Sequence, residues 1–165
     1  MITADYLRTM VRYNNQMNAT VYAAADRLGE AARRTDRGAY WGSIHGTLSH
    51  IAWADTMWLC RFEDTPLPDA PMRDSPRFIE DYGVLRQTRA QLDERLGQWA
   101  GQAGEAWLAA DQTWFSTGRQ ADITLPRTLL VAHMFNHQTH HRGQAHAMLT
   151  AAGERTDDTD LWMLG

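Results

Sequence analysis

Apolar residues recur every three to four positions along most of the chain. This is the period of an α-helix that buries one face, and it differs from the strict alternation of a β-strand. The pattern predicts four long helices, over residues 3–28, 43–62, 75–99 and 124–152. Thr3 can act as the N-cap of the first helix, and Gly29 follows that helix where a C-cap glycine belongs. Four amphipathic helices of this length predict an all-α four-helix bundle.

The third helix is predicted to start at Ser75-Pro76, because a serine cap followed by proline at the first helical position is a common helix start. A link that contains Pro66, Pro68 and Pro71 precedes it. A dozen extended residues span about 40 Å, whereas a 20-residue helix is about 30 Å long. The link is therefore long enough for the second and third helices to run parallel.

The connection between the third and fourth helices is also long, and it contains the segment WFSTGRQADI. This segment resembles a short hairpin or an ordered flap over the bundle, within residues 107–123. The closing segment DDTDLWMLG is expected to pack two or three apolar side chains onto the body of the protein.

The composition agrees with one globular domain over residues 1–165, because 44% of the residues are hydrophobic and 22% are charged. The net charge is −4 and basic residues are not concentrated on one face, so nucleic-acid binding is not expected. No apolar run approaches the roughly 20 residues of a membrane span. The opening residues MITADYLRTMVRY lack the features of a signal peptide, and a single cysteine, Cys60, suits a reducing compartment. We therefore expect a cytoplasmic protein without membrane contact.

Histidines are concentrated in one segment of the predicted fourth helix. Five of the seven histidines lie in HMFNHQTHHRGQAH, residues 133–146. His133, His137 and His141 are spaced four apart, so they stack on one side of a helix. His137 and His141 share their side with predicted core residues, where two imidazoles one turn apart can hold a divalent ion. Hydrogen-bonded core histidines would give the same spacing, so HxxxH alone leaves both interpretations open.

A third ligand is expected from another helix. The second predicted helix offers His45 and His50. His50 is next to the core residue Ile51, whereas His45 lies on a different face and is expected to be solvated. His50, His137 and His141 are therefore the candidate ligands of a three-histidine metal site.

Two familiar types of metal site do not fit this segment. The HExxH pattern of zinc proteases needs a glutamate as general base, and Gln138 occupies that position here. Di-iron bundles need several inward glutamates, but the segment from Pro126 to Gly153 contains no acidic residue. Three neutral ligands would leave a bound cation its positive charge and an open position, so the ion could act as a Lewis acid.

The chain resembles the DinB family of metalloenzyme-like proteins over nearly its whole length. The resemblance is carried by YNNQMNATVYAAADRL, by GAYWGSIHGTLSHIAWADTMWLCRF, by HMFNHQTHHRGQAHAML and by the closing DLWML. It implies a four-helix bundle in up-down-down-up order, usually a homodimer, with a divalent metal ion bound by His50, His137 and His141. Zinc, nickel and iron all suit three imidazoles.

Several members of that family resemble transferases or isomerases that use bacillithiol, mycothiol or glutathione. The resemblance therefore implies a metal-dependent thiol S-transferase that acts on a small electrophile in stress response or detoxification, without a protein nucleophile. Two alternatives remain open: a hydrolase that uses metal-bound hydroxide, and a non-catalytic metal-binding stress protein.

Further residues are candidates for the surroundings of this site. Five of them could contact the ligands or line the pocket, although each also has an ordinary structural role: Asn14, Asn18, Asp55, Arg142 and Gln144. Bulky side chains at the pocket mouth could accept an apolar electrophile, and the candidates are Trp53, Trp58 and Trp114. His133 and His140 are alternative ligands, and Cys60 is expected to serve packing alone.

Overall fold

The computed structural model describes residues 2–164 as a mostly helical chain with one small sheet. Its elements in chain order are α1 (Ala4–Asp26), α2 (Glu30–Arg34), α3 (Ile44–Phe62), α4 (Tyr82–Gln102), α5 (Glu105–Leu108), β1 (Asp111–Ser116), β2 (Ala121–Pro126) and α6 (Arg127–Ala151). A 3-10 turn, Met72–Arg77, lies between α3 and α4, and a second one, Leu161–Met163, lies in the C-terminal segment. No helix in the described range is long and apolar enough to cross a membrane.

Side-chain caps fix where three of the long helices begin. Thr3 Oγ1 accepts a hydrogen bond from the Tyr6 amide, and Ser43 Oγ accepts one from the Gly46 amide. α1 and α3 therefore begin within a residue of their predicted starts. The Asp81 carboxylate accepts a hydrogen bond from the Val84 amide, and α4 begins directly after it.

The predicted start of the third helix at Ser75-Pro76 is wrong. These residues belong to the 3-10 turn Met72–Arg77, and α4 begins only at Tyr82. The physical reason is that Ser75 is buried and its hydroxyl contacts the ring of His50, so it is not available to cap a helix.

The four long helices surround a common apolar core. α1 packs against α4 and α6, and α3 packs against the same two helices. Fully buried side chains from all four helices meet between them, including Leu7, Leu48, Leu59, Leu85, Leu96, Met134 and Leu149. The predicted helical character is confirmed, whereas the up-down-down-up order stays a prediction.

A β-hairpin interrupts the helical architecture, as the segment WFSTGRQADI suggested. β1 and β2 pair antiparallel from Asp111 opposite Pro126 to Ser116 opposite Ala121. β2 leads directly into α6, and Trp114 on β1 packs against the core. The fold is therefore not purely α, since it includes this two-stranded sheet.

The link between α3 and α4 is attached along the side of α3. Ser49 Oγ donates to the Ser75 carbonyl and accepts from the Ile79 amide, and Trp53 Nε1 donates to the Ala70 carbonyl. The expectation that His45 is solvated is wrong. His45 is 1% exposed, and its Nε2 lies 2.9 Å from the Ile79 carbonyl oxygen, because the link covers this face of α3.

The C-terminal segment is held by polar contacts rather than by apolar packing. Tyr13 donates its hydroxyl proton to the Thr159 carbonyl, and Thr156 Oγ1 contacts the ring of His146. The side chains expected to pack on the body remain exposed, with Trp162 at 81% and Leu161 and Met163 also exposed. That expectation is wrong for residues 161–163, because the acidic stretch before them stays at the surface, and Gly165 lies outside the described residues.

Candidate metal centre

Three histidine rings from two helices converge in the interior. His50 comes from α3, and His137 and His141 come from α6. One ring nitrogen from each of them lies within 4.8 Å of the others, and the Nε2 atoms of His50 and His137 are 3.1 Å apart. Nitrogens bound at 2.0–2.1 Å to a common tetrahedral ion lie about 3–4 Å from each other. The three side chains can therefore hold one metal ion with little movement.

The other ring nitrogen of two of these histidines has a polar partner. His50 Nδ1 lies 2.7 Å from Ser75 Oγ, and His141 Nδ1 lies 2.8 Å from Gln144 Oε1. An amide oxygen only accepts, so His141 must carry its proton on Nδ1 and keeps a free electron pair on Nε2. Partners of this kind fix the tautomer and orientation of a metal-binding imidazole.

Two tryptophan rings stack on His50. The Trp41 ring centroid lies 4.2 Å from that of His50 with planes 28° apart, and the Trp53 centroid lies at 5.9 Å with planes 26° apart. The turn before α3 places Trp41 here. Gly42 adopts φ +74°, and a Cβ on Gly46 would come within 2.6 Å of the Trp41 carbonyl oxygen.

Burial keeps the three imidazoles neutral. Burial, together with His141 and His137, lowers the pKa of His50 to about 3. Burial also lowers the pKa of His137 to about 4, and it lowers the pKa of His141 against the opposing hydrogen bond to Gln144. Neutral imidazole is the form that binds metal ions, so the site needs no proton loss near neutral pH.

Gln144 is the only one of the five predicted surrounding residues whose hydrogen bonds reach this histidine cluster. Its side-chain NH2 group also lies 3.2 Å from His140 Nε2, so the amide connects two neighbouring histidines of α6. His133 and His140 lie outside the group of three converging nitrogens. Cys60 is buried, in agreement with its expected packing role.

The other four predicted residues belong to a second polar centre, which we call the buried charge network. Asp55 accepts hydrogen bonds from Gln138 Nε2 and Arg89 Nη1, both at 2.5 Å. Arg89 also forms an ion pair with Asp93 at 3.0 Å, and Asn18 donates to Asp93 at 2.9 Å. Asp55 was a candidate to contact a metal ligand, with an ordinary structural role as the alternative, and its two carboxylate oxygens bind an arginine and a glutamine.

Arg142 joins α6 to α1 in this network. Its guanidinium donates to Asn14 Oδ1, and both side chains are buried. Burial lowers the pKa of Arg142 to about 10, against the opposing charge of Asp55. The preceding residue, His141, belongs to the histidine cluster. Consecutive residues of α6 are therefore part of two different polar centres.

Two contributors to the site were missed by the sequence reasoning. Ser75 was interpreted as a helix cap, and no local pattern distinguishes a capping serine from one that contacts a distant ring. Trp41 was not considered, although the glycines that flank it in GAYWGSIHG signal a tight turn that could have placed it near α3.

Comparison with known protein families agrees with the resemblance noted from the motifs. The model of the DinB family matches residues 1–164, essentially the whole chain. Comparisons with curated proteins and with solved structures give no significant match. The chain therefore belongs to the DinB family.

Proposed function

We propose that this member of the DinB family is a metal-dependent thiol S-transferase whose divalent ion is held by His50, His137 and His141. The observation that carries the proposal is the convergence of three neutral ring nitrogens within 4.8 Å, without a carboxylate among them. Such a donor set suits zinc, nickel or iron, and it leaves the ion its full charge. A divalent ion with an open position lowers the pKa of a bound thiol and holds the thiolate beside an electrophile.

The chain's own residues prepare the site for that reaction. Ser75 and Gln144 orient two of the rings, and Trp41 and Trp53 restrict access of water to His50. With a chlorinated aromatic as substrate, a sulfur–carbon bond forms and the carbon–chlorine bond breaks. Chloride leaves, and the thiol proton passes to solvent. No protein nucleophile is needed.

The first experiment tests metal binding by elemental analysis of protein purified without a histidine tag. We expect about one equivalent of metal per chain in the wild type and a large loss in His50→Ala and His137→Ala. His146→Ala is the matched control, since His146 lies on the same helix and contacts Thr156 instead of the cluster. Equal metal content in all four proteins would contradict the site.

The second experiment tests the reaction. The metal-loaded protein is incubated with glutathione, bacillithiol or mycothiol and 1-chloro-2,4-dinitrobenzene, and release of chloride is followed. We expect turnover with one of these thiols and none with His137→Ala. Absence of turnover with every thiol would reject the transferase. Ester or amide hydrolysis in a parallel screen would then favour the hydrolase, and no reaction at all would favour a binding protein.

The finer architecture is also a proposal. The four long helices would form a bundle in up-down-down-up order; the contacts of α1 and α3 with both α4 and α6 support the bundle. The protein would act as a cytoplasmic homodimer in stress response, and the exposed Leu161, Trp162 and Met163 offer apolar surface for a partner subunit. Analytical ultracentrifugation of the wild type and of Trp162→Ser tests the dimer.

A further inference from the structure

Arg61, near the end of α3, lies against two tryptophan rings. Its guanidinium carbon is 5.0 Å from the ring centroid of Trp58 and 5.1 Å from that of Trp114. Trp58 belongs to α3 and Trp114 to β1, and the two rings meet edge to face at 6.3 Å. Distances below 6 Å allow a favourable cation–π interaction with each ring, so the guanidinium is held in a defined position.

This guanidinium has no polar partner among residues 2–164. It forms no ion pair with any described carboxylate, and its buried Nε lacks a hydrogen-bond acceptor. The nearby acid Glu63 is occupied by Arg95, whose Nε lies 2.9 Å from its carboxylate. Burial lowers the pKa of Arg61 without an opposing charge. Three other arginines also have a buried Nε without an acceptor, but each of their guanidiniums donates to another acceptor: Arg33, Arg37 and Arg89. The guanidinium of Arg61, in contrast, donates to none of the described residues.

The same tryptophan pair connects Arg61 to the histidine cluster. The Trp58 ring meets the exposed His133 ring at 5.4 Å, and His133 lies 5.8 Å from the ligand His137. A continuous path of His137, His133, Trp58 and Arg61 thus runs from the metal centre toward the hairpin.

We propose that Arg61, held between Trp58 and Trp114, binds the carboxylate of a small molecule with an apolar body. As a statement about the substrate, this rests on the proposed function. A single guanidinium neutralises one negative charge and presents parallel N–H donors that match a carboxylate. The partly exposed Trp114 ring supplies apolar surface for the rest of the molecule.

The test measures binding of 4-phenylbutyrate and its uncharged amide by isothermal titration calorimetry, on metal-free and zinc-loaded wild-type protein. The probes differ only in charge at the end that Arg61 would bind. We expect the carboxylate to bind at least about tenfold more tightly than the amide, because hydrogen bonds to a charged group are stronger. Binding of both probes with equal affinity, or no binding of the carboxylate, overturns the proposal.

Variants of Arg61 test whether this residue causes the preference for the carboxylate over the amide. Arg61→Gln should abolish the preference for the carboxylate, and Arg61→Lys should retain part of it, because lysine keeps the charge but loses the planar fork. Arg73→Gln is the matched control, since Arg73 is 85% exposed on the 3-10 turn and should leave the preference unchanged. An unchanged preference in Arg61→Gln also overturns the proposal.

The metal-free arm separates this inference from the proposed reaction. If the protein prefers the carboxylate without metal while no thiol transfer is found, the carboxylate site at Arg61 is supported and the proposed transferase is rejected. If thiol transfer occurs but Arg61→Gln binds both probes as the wild type does, the transferase is supported and the carboxylate site at Arg61 is rejected. Circular dichroism of each variant verifies that the comparison is made on folded protein.

Discussion

The histidine cluster between α3 and α6 differs from the buried charge network, which joins α1, α3, α4 and α6, in how its buried polar groups are compensated. The histidine cluster holds three neutral rings without a compensating charge. The buried charge network pairs Arg89 with Asp55 and Asp93. On α6 the two centres even use neighbouring residues, since His137 is followed by Gln138 and His141 by Arg142.

The difference indicates what each centre is able to bind. In the network Arg89 pairs with both Asp55 and Asp93, and Arg142 donates to Asn14, so these contacts join helices and their opposite charges largely offset each other. The cluster presents free electron pairs with no cation among the described residues, so it gains from an ion that enters. Proximity along the sequence therefore says little about role, because adjacent helical positions face directions about 100° apart.

The largest effect should come from breaking the network. Asp55→Ala removes a hydrogen-bond partner of Arg89 and of Gln138. The fully buried guanidinium of Arg89 then loses one of the carboxylates that offset its charge. We expect a loss of about 3–5 kcal/mol in the free energy of unfolding, measured by urea titration. Asp5→Ala, which removes the exposed pair with Arg8, should cost far less. Similar losses in the free energy of unfolding in Asp55→Ala and Asp5→Ala would contradict the special role of the buried network.

The second effect concerns the cluster and should leave the fold intact. His137→Ala removes one of three ligands, and we expect the affinity for zinc to fall at least about 100-fold, in a competition assay with a chelator. The metal-free variant should unfold at nearly the same urea concentration as the metal-free wild type, because His137 carries no charge-paired partner. A large loss of metal-free stability would mean that the cluster is mainly structural.

A smaller effect is expected when a ring loses its orienting partner. Gln144→Leu removes the acceptor of His141 Nδ1, and Ser75→Ala removes the contact to His50 Nδ1. Each should weaken zinc binding by about tenfold, because the tautomer and orientation are no longer fixed. Gln98→Leu is a suitable control, since Gln98 is exposed and contacts Glu94 on α4. Unchanged zinc affinity in both site variants would show that Gln144 and Ser75 do not support metal binding.

The smallest effect should be the pH dependence of the metal-free protein near neutrality. The folded pKa values of His50 and His137, about 3 and 4, lie below the ordinary value of 6.5. The unfolded chain therefore binds more protons around pH 6.5, and stability should fall slightly as the pH drops from 7.5 toward 6.5. Urea titrations across this range measure the slope, and His50→Gln should flatten it. A slope that is the same in both proteins would contradict the burial of neutral rings.

The three histidines of the cluster were predictable because their signals are local. A spacing of four places His137 and His141 on one face of any helix, and the same spacing separates His50 from the buried Ala54. Roles that depend on distant contacts could not be read in this way. Asp55 was a candidate to contact a metal-binding histidine, but its carboxylate accepts a hydrogen bond from Arg89 on α4. Ser75 looked like a cap, but it contacts His50 across 25 positions of sequence.

What the order of amino acids determines here is the helical period, the caps of α1 and α3, and the histidine ladder of α6, because these follow from covalent geometry within a few residues. The packing of α1, α3, α4 and α6 decides the rest. It brings His50 to within 3.1 Å of His137, separates Gln144 from Asp55 into different polar centres, and places Trp114 of the hairpin against Arg61. These contacts join residues far apart in the chain, so they exist only once the helices have packed and excluded water between them.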